Sequence, residues 1–400
     1  MALISKTLSL VEPSPTISIS TLANELKSKG HDIITLSAGE PDFDTPKNIQ
    51  NAAIEAIQTG KTKYTAPDGM QILKSAIAKK FLVENKLQYD EQSISIGSGG
   101  KQIIYNALMA TVDPGDEVLI PAPYWVSYPA MVILAKGKPK IIQTNISDNF
   151  KLTPQKLEQA ISKKTKWLIL NSPSNPTGAG YSLNELKELA YILEKYPNIF
   201  ILTDEIYEHL SYAPFQFNSF ARAAPSLFER TLTMNGVSKA YAMTGWRIGY
   251  AGGPKELISG MRKIQSQSTS NPCTISQWAA VEALNGPQDY IQNSLSIFQE
   301  RRDLVVSKLN DCAGISCPLP DGAFYAYPSI DGCIGKTSEK GFKIINDEVF
   351  AKALLEETGV AVVFGAAFGG SPAFRVSYAE SNEKLELACD RIEQFCSKLQ

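Results

Sequence analysis

Lys239 and Arg247 are the first residues from which chemistry can be read. They stand eight residues apart in the stretch Ser238-Lys239-Ala240-Tyr241-Ala242-Met243-Thr244-Gly245-Trp246-Arg247-Ile248-Gly249. The lysine sits beside a hydroxyl in apolar surroundings. Partial desolvation and a neighbouring positive charge lower an ammonium pKa, so that a free amine exists near neutral pH and can form a Schiff base with an aldehyde. Arg247 offers that charge together with a planar fork suited to a phosphate. A lysine taken alone is more often a solvated surface group.

Other candidates lie where elements meet. The run Ser93–Gly97 reads as a strand, Ser98-Gly99-Gly100-Lys101 as a glycine loop, and Ile103, Ile104, Ala107 and Leu108 as one face of the following helix. Unpaired first-turn N–H groups and the helix dipole make such a joint a phosphate cradle. Strand–glycine–helix joints also occur without ligands. The glycines lack dinucleotide-fingerprint spacing, and Gly335-Lys336-Thr337 has Ile330 where a P-loop requires glycine. Trp125 follows the strand Glu117–Ile120 in a proline-rich loop, at the kind of strand end where open α/β sheets place ligands. Asn175 lies in the turn Asn171-Ser172-Pro173-Ser174-Asn175-Pro176-Thr177-Gly178. Asp204 ends the strand Ile199–Thr203, where an acid is either functional or part of an ion pair. Arg375, in the strand-like Phe374-Arg375-Val376-Ser377, is costly to bury unless a carboxylate faces it, internal or from a substrate. Gly39, in Ser37-Ala38-Gly39-Glu40-Pro41-Asp42, reads as a turn glycine or as a close approach to a ligand. With only two histidines, His31 and His209, Ser-His-Asp and zinc chemistry are disfavoured.

The elements that must position these residues alternate β and α from about residue 90 to 250, as in a largely parallel sheet. Ser182 and Glu185 form a capping box. Residues 254–310 read as helical, and from Ile315 short strands interleave with the helices Glu348–Thr358 and Asn382–Lys398. Residues 1–16, with Pro13 and Pro15, read as an extended arm, and a first helix is expected over Thr21–Lys29. The 400 residues exceed the roughly 250–300 at which single cores stop growing, so two domains are expected: an arm and part of the small domain over 1–45, a large domain over 46–290, and a linking helix with the small domain over 291–400. A net charge of −2 gives no electrostatic footprint for nucleic acid or membrane surfaces. The six cysteines show no Cys-x-x-Cys spacing and read as reduced thiols. No signal-like segment and no apolar run near the ~18 residues of a membrane span is found, so a cytoplasmic protein is expected.

The stretch Ser238–Gly249 resembles the cofactor-lysine signature of class I aminotransferases, which use pyridoxal 5′-phosphate (PLP). The likeness extends along nearly the whole chain and is greatest to the bacterial aspartate aminotransferase branch. It implies a fold-type I PLP-dependent transferase, α/β in class, with a mostly parallel seven-stranded sheet flanked by helices and a smaller α+β domain, assembled as a homodimer with shared active sites. It makes Lys239 the cofactor lysine and proton carrier, Asp204 the partner of the pyridine nitrogen, and Tyr207 and Asn175 hydrogen-bond partners of the ring oxygen. Trp125 stacks on the ring. Gly99, Gly100, Lys101 through its backbone, Ser238, Arg247 and Tyr64 from the partner chain hold the phosphate. The substrate contacts are Gly39, Trp125, Asn175 and Arg375, the last on the α-carboxylate, with Lys101 as candidate for a distal carboxylate.

The implied reaction is reversible amino transfer from L-aspartate to 2-oxoglutarate by a ping-pong route, the small-molecule partners being amino acids and 2-oxo acids. Alternatives are an aminotransferase preferring prephenate/arogenate or aromatic amino acids, a PLP-dependent lyase, or a PLP-binding regulator. Prephenate use in that branch is associated with an arm lysine; this chain has Glu12 at that position, so weak prephenate activity is expected.

Overall fold

The computed structural model of the chain describes residues 3–13 and 15–400. Its centre is a seven-stranded sheet in the spatial order Ile94–Gly97, Gly249–Gly252, Thr231–Gly236, Phe200–Asp204, Thr165–Asn171, Glu117–Ala122, Lys138–Gln143. Gly249–Gly252 alone runs against its neighbours; the other pairings are parallel. Strands such as Thr231–Gly236 are buried along their whole length, as expected of a sheet covered on both faces. Trp167, Leu168, Ile201, Leu202 and Leu232 fill its core.

Parallel strands deliver their carboxyl ends to one edge of the sheet. Gly97, Ala122, Asn171, Asp204 and Gly236 end their strands there, and the loops that follow carry nearly every candidate residue. The capping box forms as read, with Ser182 and Glu185 each bonding the other's backbone N–H at the start of Leu183–Glu194. The helical region resolves into Lys255–Ser268, Thr274–Asn285 and the long Asp289–Asp311.

Beyond Asp311, a three-stranded antiparallel sheet, Val363–Phe364 with Phe374–Ser377 and Tyr325–Ala326, packs with the helices Asp347–Thr358 and Asn382–Ser397. Ile34–Thr35 pairs parallel with Val360–Ala361, so the early chain joins this C-terminal layer.

The N-terminal expectation needs correction. Residues 1, 2 and 14 lie outside the described residues, but Leu8–Leu10 form a 3-10 turn and a helix spans Pro15–Ser28 instead of starting at Thr21. Proline at the first helical position suits the helix, because its missing N–H has no intrahelical partner there. Ile19, Ala23 and Leu26 pack against Ile33, Leu355 and Ala361. Arg247 precedes the strand Gly249–Gly252 by two residues and adopts φ +59°.

The six cysteines are free thiols, all but Cys273 buried. Among the described residues, no helix is long and apolar enough to cross a membrane.

Next to Asp204 lies a buried acid that sequence reading passed over. Thr203, Ser219 and the Phe220 amide all donate to Glu205 Oε1, and Oε2 has no partner. Burial, reinforced by the charge of Glu208, pushes its carboxyl up to about 8. A carboxyl raised in the folded state stabilises it fully below the unfolded value near 4.3 and loses that stabilisation as pH rises through about 8. Glu205→Gln, which stays neutral, is therefore expected to flatten the stability of the cofactor-free protein across that window. Urea unfolding at a series of pH values checks this; an unchanged slope would show that Glu205 is already ionised.

Candidate active site

A cleft of about 530 Å³ opens at the carboxyl edge of the large sheet, and Gly39, Gly100, Lys101, Trp125, Asn175, Asp204, Tyr207, Ser238, Lys239, Arg247 and Arg375 all line it. Gly99 lies directly behind, against Arg247. Tyr64 does not reach the cleft of its own chain and is 90% exposed.

Lys239 follows Thr231–Gly236 and stands half-buried at the cleft floor, its ammonium donating to the carbonyl of Gly39. Burial above all, joined by the charges of Arg375 and Arg247 and opposed by those of Glu40 and Asp204, lowers its pKa to about 8. The segment that offers Gly39 is held in place at several points. Arg301 grips Asp42 with two bonds of 2.7 and 2.9 Å, Thr244 donates to Glu40 at 2.9 Å, and Thr45 donates to the carbonyl of Ala242 at 2.7 Å. The lysine loop and the Gly39 loop are thus fastened together.

Asp204 is 5% exposed. Tyr128 donates to its Oδ2 at 2.7 Å and the Ile206 amide to Oδ1 at 3.3 Å. Burial pushes the carboxyl up to about 6, against those hydrogen bonds and the charge of Lys239. A cationic group placed beside it would restore the carboxylate. Tyr207 pairs hydroxyl to hydroxyl with Tyr325 at 2.9 Å.

The glycine loop has the form an anion requires. Gly99 takes φ +86°, and a Cβ on it would strike the guanidinium of Arg247 at 2.2 Å. The Ser98 amide is taken by Gln102 Oε1 and the Gln102 amide by the Gly99 carbonyl. The amides of Gly100 and Lys101, opening the helix Gly100–Thr111, are the first-turn donors left for an anion among the described residues. Arg247 stands across from them, donating to the Thr244 carbonyl at 2.8 Å. The Lys101 ammonium lies 4.9 Å from the Trp125 ring centroid, and burial with the nearby Arg247 charge lowers its pKa.

Arg375 is 3% exposed, yet no carboxylate lies within ion-pair distance among the described residues. Its Nη1 donates to Asn175 Oδ1 at 2.9 Å and Nη2 to the Ser37 carbonyl at 2.6 Å, while Nε is buried without a partner. The rings of Tyr325 and Phe368 lie 4.5 and 5.0 Å from its Cζ. Neutral neighbours do not offset a buried charge, so the geometry leaves a place for an anion from outside the chain. Of the two readings open from sequence, an internal salt bridge is absent among the described residues.

Sequence reasoning missed Tyr128, Tyr325 and the contribution of Thr16, Thr21 and Asn24, which bring the first helix to the cleft. No local signal in the sequence marks them. His209 stays outside, 2.9 Å from Glu84. Glu84, Glu208 and His209 are close enough to share a metal ion, but the Lys80 ammonium already bonds Glu208 and stands 3.5 Å from Glu84.

Taken together, these groups can bind an anion at a helix start, present an amine to a carbonyl beside it, and hold a carboxylate on a buried guanidinium. The chain belongs to the family described as aminotransferase class I and II, which it matches over residues 31–392. It is 59% identical over 399 residues to the aspartate/prephenate aminotransferase of Cereibacter sphaeroides, covering 100% of both chains. Identity to the aspartate aminotransferase of Rhizobium meliloti is 50% over 392 residues, covering 98% of this chain and 96% of that one. Among solved structures, an aspartate aminotransferase from Rhizobium meliloti aligns with a TM-score of 0.97 at 49% identity over 100% of both chains. The Thermus thermophilus aspartate aminotransferase with maleate aligns at 0.91 and 41% identity, covering 99% and 100%. The resemblance carried by Ser238–Gly249 is met in family and fold.

Because burial brings Lys239 to about 8, its amine should become reactive well below the range of solvated lysines. Reductive methylation of the cofactor-free protein, followed by peptide mass spectrometry, is expected to label Lys239 with a midpoint near pH 8, against roughly 10.4 for exposed lysines. A midpoint at the ordinary value would remove the electrostatic basis of the site.

Proposed function

We propose that this chain is a PLP-dependent aspartate aminotransferase, carrying the amino group of L-aspartate to 2-oxoglutarate with release of oxaloacetate and L-glutamate. The observation that carries the reading is the convergence in one cleft of a desolvated lysine amine and a buried arginine without a carboxylate. The names of the relatives support the choice of aspartate, and maleate, a four-carbon dicarboxylate, accompanies one of the similar structures.

The residues fit the cofactor. The Gly100 and Lys101 amides, Ser238, Arg247 and the partner's Tyr64 would hold its phosphate, with Gly99 admitting Arg247 to the cradle. Asp204 would face the ring nitrogen, Asn175 and Tyr207 the ring oxygen, and Trp125 the ring face. When bound, PLP supplies an aldehyde with which amines condense and a ring that accepts electrons from the substrate α-carbon.

The chain's own groups do the rest. Arg375 Nη1, Nη2 and the unpartnered Nε orient the α-carboxylate, assisted by Asn175 and the Gly39 loop. Lys239 Nζ takes the proton from the substrate Cα; a pKa near ambient pH populates both its accepting and donating forms. Lys101 Nζ is the candidate for the distal carboxylate, since an anion beside it would offset its desolvation. The chain is read as a cytoplasmic homodimer with an arm and a small domain built from 1–45 and 291–400 around a large domain of 46–290.

The test is a half-reaction: PLP-loaded protein with L-aspartate alone is expected to form one equivalent of oxaloacetate per site, reversed by 2-oxoglutarate. Release of ammonia instead would identify a lyase. Lys239→Ala should retain PLP weakly and lose amino transfer. Arg375→Leu should raise KM for aspartate and for 2-oxoglutarate about 10–100-fold, the worth of a charge-assisted hydrogen-bonded pair.

Prephenate is a second acceptor favoured by one observation, its place in the name of the 59%-identical relative. Glu12 is exposed and does not line the cleft of its own chain. If the arm of a second copy brings this carboxylate to the substrate, prephenate use is weak and Glu12→Lys raises it. Unchanged prephenate efficiency in that variant would place Glu12 away from the substrate.

A further inference from the structure

The hydroxyl pair Tyr207–Tyr325 joins the two parts of the cleft. Tyr207 follows the strand Phe200–Asp204 of the large sheet, while Tyr325 opens Tyr325–Ala326 in the C-terminal sheet. Tyr325 pairs with Ser377, which places it diagonal to Arg375 on the neighbouring strand, within reach of long side chains. Its ring lies 4.5 Å from the guanidinium carbon, and its hydroxyl is where a Cβ on Gly39 would press, at 3.1 Å. One side chain thus touches the lysine-side tyrosine, the carboxylate-side arginine and the loop that faces Lys239.

We propose that Tyr325 is a positioning residue whose hydroxyl donates to Tyr207, directing the Tyr207 proton into the cleft, while its ring braces Arg375. The inference rests on the PLP-aminotransferase reading above. Among the described residues Tyr325 is the one hydrogen-bond partner of the Tyr207 hydroxyl. A phenol that accepts a bond keeps its own proton free to give, so the direction of this single bond decides whether Tyr207 can act as a donor. The guanidinium of Arg375 stands 4.5 Å from the Tyr325 ring, and a cation beside a phenol draws charge off its hydroxyl and makes it the more acidic of the two. The more acidic phenol is the better donor, which sets the order Tyr325 to Tyr207 to ring oxygen.

The two halves of the role separate by substitution. Tyr325→Phe keeps the ring against Arg375 and removes the hydroxyl. Its kcat is expected to fall about 2–10-fold, the worth of one ordinary hydrogen bond, with KM for aspartate nearly unchanged. The pH midpoint of the visible band of the PLP-loaded protein should rise, because a less polarised Tyr207 stabilises the negative ring oxygen less. Tyr325→Leu also removes the ring and should raise the aspartate KM about 2–5-fold, the scale of a cation–π contact. A Tyr325→Phe protein with wild-type kcat and band midpoint would overturn the donor role, and a Tyr325→Leu protein with the KM of Tyr325→Phe would overturn the bracing role. If the wild type itself transfers no amino group from any amino acid, the failure lies with the parent reading, whereas these shifts are measured only against a working wild type.

Discussion

A guanidinium buried without a carboxylate is the constraint on which the cleft depends. Arg375 is held by an amide oxygen, a backbone carbonyl and two aromatic faces. None of these carries a full negative charge, so the chain leaves the compensating charge to a ligand. The same neutral partners come from segments remote in sequence: Asn175 from the turn after the strand Thr165–Asn171, Ser37 from the early chain, Tyr325 and Phe368 from the C-terminal layer. Their meeting aligns the two layers, and the cleft is the space between them.

Burial acts in opposite senses on the two ionisable groups across that space. It pushes Asp204 up to about 6 and Lys239 down to about 8. Both shifts bring the groups nearer to neutrality, and both are reversible by whatever charge enters the cleft. The residues that hold these groups, Tyr128 on Asp204 and the fastened Gly39 loop on Lys239, act through neutral hydrogen bonds that do not cancel the response. Glu208 shows the contrasting solution: burial pushes its carboxyl up, but Lys80, His209 and Asn85 outweigh that and hold it below the ordinary range. A charge with its own internal counter-ion gives the protein structure; a charge without one gives it a place for a ligand.

Much of this was legible in the chain. Apart from the first helix, alternating apolar runs and helical faces placed the elements named from sequence within a few residues, and the Ser182/Glu185 cap marked a helix start to the residue. The Ser238–Gly249 stretch and the Gly99–Gly100 loop carried the family likeness, because covalent chemistry and close backbone approach demand particular residue types at short spacing. Asp204 was legible as an acid at a strand end, and Arg375 as a cation amid apolar neighbours. The first helix was misjudged because proline was read as a breaker, when at the first helical position it is a starter.

The sequence by itself therefore determined most of the strands and helices of the large sheet's layer, which faces are apolar, and which few residues could bind an anion or present an amine. The tertiary structure alone decided that Tyr128 meets Asp204, that Tyr325 meets both Tyr207 and Arg375, and that Arg375 has no carboxylate partner among the described residues. Local periodicity encodes the face an element buries, but not the element it is buried against. Contacts between residues 76, 118 or 200 positions apart depend on how whole layers pack, and so does the charge state of every buried group between them.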